Sequence, residues 1–348
     1  MRVLTARDFG SLVMEEIEVP DIGANQVLVR SAVSAFSSGT ERRMLYGRPG
    51  DVREHAPEFP VVGAFGYLAA GTVIAVGDAV TNVEPGDRVS CGRNWGAHRE
   101  IVDTDATSVV RIPDGMSFLE GAAAYWAVPP MAGVLAAAPR LYTDSAVIGL
   151  GPLGLCAVQM LAPSARRLAA IDPLSARVSV AERYGASGFD SGSAHLTDAI
   201  RELMPSGAEI VIEASGTQAG LELALEIAAP MGRVAMVGVP PPLTGMNLFW
   251  PMQIKGVKLV PLHRETAASP QGGGAGSPRA TYLPDVLDMI VRGRLEIEEL
   301  TSWVVPPERA AEAMELMHRH PERTLGAGIA WDPGELRAVD DFDAALSP

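Results

Sequence analysis

The sequence predicts an α/β chain in which a small, twisted β-barrel-like domain is interrupted by a doubly wound parallel sheet. Three observations predict it. An apolar run, Ser145-Ala-Val-Ile-Gly-Leu-Gly-Pro-Leu-Gly154, enters a glycine-spaced turn and continues into the helical-looking Leu155-Cys-Ala-Val-Gln-Met-Leu161. From there to about Leu262 short apolar runs alternate with helical segments, as parallel β-α units do. The first 120 or so residues instead carry short alternating runs broken by Gly and Pro.

In chain order, Gln26-Val-Leu-Val-Arg-Ser-Ala-Val33 and Gly71-Thr-Val-Ile-Ala-Val-Gly77 alternate as half-buried strands, and Val83-Glu-Pro-Gly-Asp-Arg-Val89 is a turn leading into another. After the glycine turn come the strand Arg167-Leu-Ala-Ala-Ile-Asp172, a helix from Leu174 to Tyr184, a polar stretch with Phe189-Asp190 and a helix from His195 to Met204. The strand Glu209-Ile-Val-Ile-Glu-Ala214, a helix from Gln218 to Ala228, and the strands Arg233-Val-Ala-Met-Val-Gly238 and Val257-Lys-Leu-Val-Pro261 complete most of a six-stranded sheet. Ser269-Pro-Gln-Gly-Gly-Gly-Ala-Gly-Ser-Pro278 reads as a surface loop. A returning segment follows, with a helix from Leu283 to Arg292, a strand near Leu300 to Val304, a helix from Pro307 to His318 and a strand from Gly326 to Trp331; it is expected to complete the first domain. The tail beyond Trp331 is acidic and expected to fray.

With 348 residues, 47% of them hydrophobic and 20% charged, the chain has enough apolar surface for about two domains. A net charge of −14 without a basic stripe excludes nucleic acid as a partner. No run of 18 apolar residues exists, and the mixed charges of Met1-Arg-Val-Leu-Thr-Ala-Arg-Asp8 do not make a signal peptide, so no membrane partner and a cytoplasmic location are expected. Two cysteines, Cys91 and Cys156, are too few for a disulfide framework or a four-cysteine zinc lobe. Cys156 reads as a small buried hydrophobe, and His318 and His320, two apart near a helix end, as solvated side chains.

The glycine turn carries the first functional signal. Gly149 suits the tight turn, Gly151 lets the backbone approach a pyrophosphate, and Gly154 lets the helix pack on its strand. The anion would rest on the helix N-terminus beside Pro152 and Leu153. Asp172 ends the next strand 18 residues after Gly154, where a carboxylate accepts hydrogen bonds from both ribose hydroxyls and repels a 2′-phosphate. NAD(H) is therefore expected over NADP(H), with Arg177 just downstream softening the preference. Ser215, Gly238 and Val239, at the ends of later strands, complete the expected cofactor contacts.

Together these residues resemble the medium-chain dehydrogenase/reductase family over nearly the whole chain to Trp331. The landmarks are Gly66-Tyr-Leu-Ala-Ala-Gly-Thr-Val-Ile-Ala-Val-Gly77, Pro85-Gly-Asp-Arg-Val89, Ile112-Pro-Asp-Gly115, the Gly149 to Gly154 turn with Asp172, and Gly232-Arg-Val-Ala-Met-Val-Gly238. The resemblance implies a GroES-like catalytic domain (1–122), a Rossmann domain (123–262), a return segment completing the catalytic domain (263–332) and an acidic tail (333–348), with the active site in the cleft between domains. It also implies a homodimer or homotetramer.

Zinc-dependent members carry a cysteine before a Gly-Ser/Thr-Asp sequence, a His-Glu pair after a glycine, and a glutamate before a proline. Here those places read Ser38-Gly-Thr-Glu41, Gly66-Tyr67-Leu68 and Pro129, so no zinc is expected. The pattern is similar to the zinc-free branch that includes bacteriochlorophyllide dehydrogenases and relatives in specialised metabolism, as is Leu325-Gly-Ala-Gly-Ile-Ala-Trp331.

Hydride transfer to a carbonyl builds negative charge on oxygen, and without a Lewis acid hydrogen-bond donors must stabilise it, each contributing about 3 kcal/mol. Thr40 matches the hydroxyl that relays the substrate proton in metal-dependent relatives, while Ser38 and Tyr67 occupy former ligand positions. His263, after the strand that would end near the nicotinamide, is a further acid/base candidate. Trp95 and His98 lie in a segment that would line the cleft, with no chemical step assigned. The expected activity interconverts a polyol-like or specialised-metabolite alcohol and its ketone. An NAD(P)H-dependent enoyl or quinone reductase and a non-catalytic nucleotide-binding protein are the alternatives.

Overall fold

The computed structural model describes residues 1–47, 65–93, 95–262 and 278–346. The chain divides into two compact units, Met1–Tyr125 with Arg279–Pro348, and Trp126–Pro278. The second unit is thus inserted into the first. Among the described residues no helix is long and apolar enough to cross a membrane.

The first unit opens with an antiparallel hairpin, β1 (Arg2–Asp8) and β2 (Ser11–Glu16). Strands β3 (Gln26–Ala35), β4 (Ala69–Val76), β5 (Arg88–Cys91), β6 (Ile101–Asp105) and β7 (Val110–Arg111) follow, with helix α1 (Thr40–Tyr46) between β3 and β4. Helix α2 (Phe118–Ala123) starts on a capping box in which Ser117 and Glu120 satisfy each other's backbone N–H groups. β3 is the organising strand, since it pairs antiparallel with both β4 and β6. Its alternating Val27 and Val29 point with Val73, Val89 and Val102 into one core.

The inserted unit holds α3 (Val128–Ala137) and then strands and helices that alternate as far as β12. These are β8 (Thr143–Ile148), α4 (Pro152–Leu161), β9 (Ala165–Asp172), α5 (Ser175–Arg183), β10 (Ser187–Asp190), α6 (Leu196–Leu203), β11 (Ala208–Glu213), α7 (Gln218–Ile227), β12 (Ala228–Met236) and β13 (Lys258–Pro261). All six strands run parallel, in the order β10-β9-β8-β11-β12-β13. Every residue of β8 is buried, as a central parallel strand covered on both faces requires. The order reverses at β8, so a crevice opens at the carboxyl ends of β8 and β11.

The chain then returns to the first unit with α8 (Pro278–Val291), β14 (Thr301–Val305), α9 (Ala310–Arg319), β15 (Gly326–Ala330) and α10 (Val339–Leu346). β15 joins the first sheet by pairing antiparallel with β3. The mixed α/β class is as the sequence predicts. Its polar stretch at Phe189-Asp190 is the edge strand β10, and the hairpin β1-β2 is an addition to the sequence reading.

The expectation of a frayed tail is corrected. Phe342 on α10 is wholly buried, its ring centroid 5.3 Å from that of Trp303 and 4.4 Å below the Arg309 guanidinium. A single large anchor outweighs the acidic composition around it. Phe342→Ala should cost about 3–5 kcal/mol of stability, the usual penalty for emptying a buried aromatic site, read from urea denaturation.

Candidate active site and cofactor cradle

The glycine turn of the inserted unit is built from backbone on backbone. Gly149 has φ +86°, and a Cβ there would stand 2.5 Å from the Ser215 nitrogen. A Cβ on Gly154 would stand 1.8 Å from the Gly149 carbonyl oxygen. Both glycines are demanded by the protein's own packing. Gly151 is not: its φ is −68° and a Cβ there would meet nothing within 4 Å. Its missing side chain keeps open the space in front of α4, whose first turn holds Pro152, Leu153 and Gly154.

Two buried carboxylates fix this edge of the sheet. Asp172, ending β9, accepts from the Leu150 N–H at 2.7 Å and from the Leu174 N–H at 2.9 Å. Each of its oxygens keeps a lone pair for a further donor. Arg177 on α5 brings its guanidinium to 3.9 Å from the same carboxylate, and burial holds its pKa below the ordinary value against the opposing pull of Asp172. Glu213, ending β11 and wholly buried, accepts from the Ser215 N–H at 2.8 Å, from the Ser215 hydroxyl and from the Gly216 N–H at 3.1 Å. Gly238 donates its N–H to the Glu213 carbonyl at 2.8 Å, and a Cβ there would lie 2.2 Å from the Gly216 nitrogen. Val239 follows with 60% of its surface exposed. The sequence reading missed Glu213; its only signal was an acid closing an apolar strand run.

In the other unit, a hydroxyl cluster gathers where α1 begins. Tyr67, half-buried, donates its phenol to Ser37 Oγ at 2.5 Å and shares a hydrogen bond with Thr40. Its pKa is pushed well above the ordinary tyrosine value, first by burial and then by the negative charge of Glu41. Tyr67 therefore stays a protonated donor throughout the neutral range. Thr40 is the exposed first residue of α1, and Ser38 is half-buried two residues before it. Trp95 and Tyr125 meet the Tyr67 ring edge-to-face at 5.5 Å and 6.2 Å. Ser37 was missed by sequence reasoning, which gave no weight to the residue beside Ser38.

Behind the cluster lies a buried polar chain. His98 places Nε2 3.0 Å from Glu41 Oε2 and Nδ1 2.8 Å from Ser34 Oγ, and the Trp331 indole N–H donates to the same Ser34 oxygen at 2.9 Å. His98, Glu41 and Ser34 are all fully buried. The His98 ring occupies the space where a Cβ on Gly66 would fall, 2.3 Å away.

At the zinc-ligand positions the donors do not fit the metal. Ser38 and Tyr67 offer neutral hydroxyls, Leu68 is wholly buried and apolar, and Pro129 lies within α3. Among the described residues no group of three or more His, Cys, Asp or Glu side chains converges. His263 and the loop read at Ser269 to Ser277 lie outside the described residues. Cys156 is buried with its thiol pushed far up by desolvation, and His318 stacks on Tyr46 at 3.9 Å.

Comparison with known proteins shows an oxidoreductase of the alcohol dehydrogenase-like kind. The "Alcohol dehydrogenase GroES-like domain" family matches residues 23–135 and the "Zinc-binding dehydrogenase" family residues 152–267. The chain is 32% identical to the medium chain reductase/dehydrogenase ucsI of Acremonium sp, over 50% of this chain and 73% of that protein. It is 27% identical to D-guloside 3-dehydrogenase of Escherichia coli, over 94% of this chain and 99% of that one. Among solved structures, galactitol-1-phosphate dehydrogenase from Escherichia coli superimposes with a TM-score of 0.81 at 21% identity, covering 95% of this chain and 100% of that one. The chain belongs to the medium-chain dehydrogenase/reductase superfamily.

The three glycines of the turn separate packing from ligand access. Gly154→Ala should lower the melting temperature by several degrees because its Cβ collides with a carbonyl, whereas Gly151→Ala should leave melting unchanged and weaken dinucleotide binding, read by fluorescence titration.

Proposed function

We propose that the protein is a zinc-independent, NAD(H)-dependent dehydrogenase interconverting a secondary alcohol and a ketone on a polyol-like or specialised-metabolite substrate. Gly151 carries the reading, since its open Cβ position, within the Gly149 to Gly154 turn and at the N-terminus of α4, leaves room for a pyrophosphate to approach the backbone. The cradle fits a dinucleotide: the Gly149 to Gly154 turn would hold the pyrophosphate, Asp172 the adenosine ribose, and Ser215, Gly238 and Val239 would flank the remainder. When bound, the nicotinamide supplies a hydride acceptor or donor. Asp172 favours NAD(H), because a 2′-phosphate would meet its carboxylate; Arg177 tempers that repulsion.

Tyr67 and Thr40 would donate to the substrate oxygen as charge develops on it, with Ser38 and His263 as further candidates. Trp95 and Tyr125 give the Tyr67 hydroxyl an aromatic surround suited to a substrate with an apolar face. The name of the Escherichia coli relative, a guloside 3-dehydrogenase, supports a ring-borne secondary hydroxyl as the reacting group. A run of exposed apolar side chains that includes Phe249, Trp250 and Ile254 supports a homodimer or homotetramer.

Cofactor reduction with polyols and glycosides, and cofactor oxidation with ketones and enones, tests the reading. Turnover of alcohols or ketones with NAD(H), unaffected by chelators, is expected; turnover of enones alone with NADPH would replace it. Asp172→Ser should narrow or reverse the preference for NADH over NADPH. Thr40→Val and Tyr67→Phe should each lower kcat about a hundredfold with NADH affinity nearly constant, and the double variant should fall short of the product of the two losses.

A further inference from the structure

The buried chain behind Tyr67 leaves one carboxylate oxygen without a hydrogen-bond partner. Glu41 is wholly buried; His98 holds Oε2, and Oε1 has no hydrogen-bond partner. Accommodating the His98 ring obliges residue 66 to lack a side chain at φ +80°. A carboxylate half-satisfied in the interior is destabilising, and an apolar pair of the same volume would pack more favourably. Such groups persist where chemistry uses them.

The hydrogen bonds orient the chain. Ser34 Oγ accepts from the Trp331 indole, which can only donate, and we assign its own hydroxyl proton to the bond with His98 Nδ1. Nε2 then carries the ring proton and donates to Glu41 Oε2. On that assignment every contact holds one proton, and Oε1 is left to accept another.

The cluster in front of Glu41 is made of hydroxyls. Tyr67 donates to Ser37 Oγ, and the Glu41 N–H donates to the Ser37 carbonyl at 3.0 Å, which sets Ser37 one turn before the carboxylate. The charge of Glu41 acts on the Tyr67 phenol. A free alkoxide beside that charge is disfavoured by like-charge repulsion, so the alcohol must lose its proton to a base as the hydride leaves.

We propose that Glu41 is the proton acceptor for alcohol oxidation, and the proton donor for ketone reduction, with His98, Ser34 and Trp331 as positioning residues for its carboxylate. The inference rests on the dehydrogenase reading above and deepens it. In oxidation the carbinol C–H bond breaks and its electron pair leaves with the hydrogen for the oxidised nicotinamide. The O–H bond breaks at the same time, and its proton passes by way of the Tyr67 and Ser37 hydroxyls to Glu41 Oε1, the last transfer requiring Ser37 Oγ, which makes no hydrogen bond to Oε1 at rest, to turn toward it. The products are ketone, reduced nicotinamide and a neutral Glu41 carboxyl; reduction runs the same steps backwards.

The test uses the full-length enzyme, NAD(H) and an alcohol that the wild type oxidises. Glu41→Gln should lower kcat by about a hundredfold or more, the usual worth of a positioned base, with KM and NADH affinity within about threefold of wild type. Glu41→Ala should recover about tenfold or more in kcat on addition of formate, which a merely structural role would not restore. Ser37→Ala should lower kcat while leaving NADH affinity intact. Spectra of 15N-histidine-labelled enzyme, assigned with His98→Gln, should show the Nε2–H tautomer for His98. Near-wild-type turnover in Glu41→Gln would overturn the proposal alone, as would parallel loss of folding and NADH binding in both Glu41 variants without formate rescue. A wild type that turns over no alcohol or ketone would overturn the dehydrogenase reading and this inference with it.

Discussion

At the carboxyl edge of the parallel sheet, the turns that follow β8, β11 and β12 approach closely enough that a Cβ at Gly149, Gly154 or Gly238 would overlap neighbouring main chain. Two carboxylates hold that approach in place. Asp172 gathers the N–H groups of Leu150 and Leu174, and Glu213 those of Ser215 and Gly216. Hydrogen bonds to an ionised acceptor are shorter and stronger than neutral ones, and here they replace the side-chain packing that glycines cannot supply. The free N-terminus of α4 and the open face at Gly151 take their positions from this arrangement.

The barrel-bearing unit uses the same device for a different purpose. A buried acid, Glu41, again sits beside the start of a helix, but its partner is a histidine whose ring fills the place of a missing Cβ at Gly66. At the sheet edge Glu213 is held by backbone and hydroxyl donors, and Asp172 accepts one backbone N–H on each oxygen. Glu41 keeps one oxygen without a hydrogen-bond partner, close in the chain to Ser37 and Thr40, which both bond Tyr67.

The glycine turn and the acid beside it were legible in the sequence because their signals are local. The spacing Gly149, Gly151, Gly154 and an acid ending the next apolar run are constraints on consecutive backbone, and they fall within a single β-α-β unit. Strand runs such as Ala146 to Ile148 and Ile210 to Ile212 announce burial on both faces by continuity alone. The hydroxyls at Thr40 and Tyr67 were found by the positions they hold in a family pattern. Their neighbour Ser37 was not, since nothing in its own surroundings in sequence distinguishes it.

The sequence by itself determined the two-part α/β architecture, the glycine turn and the acid that ends the next strand at Asp172, because periodicity and turn chemistry act over a few residues. The tertiary structure decided which side chains meet across the chain. Tyr67 reaches Ser37 from 30 residues away, His98 reaches Glu41 from 57, and Trp331 reaches Ser34 from 297. These contacts exist because β15 returns to pair with β3 and the chain folds back at Gly66 to receive the His98 ring. Phe342 likewise turns an acidic tail into a packed helix through a cavity that only the assembled unit contains. Long-range pairing leaves no period in a sequence, since the residues it joins are selected by the shape of the fold and not by their neighbours along the chain.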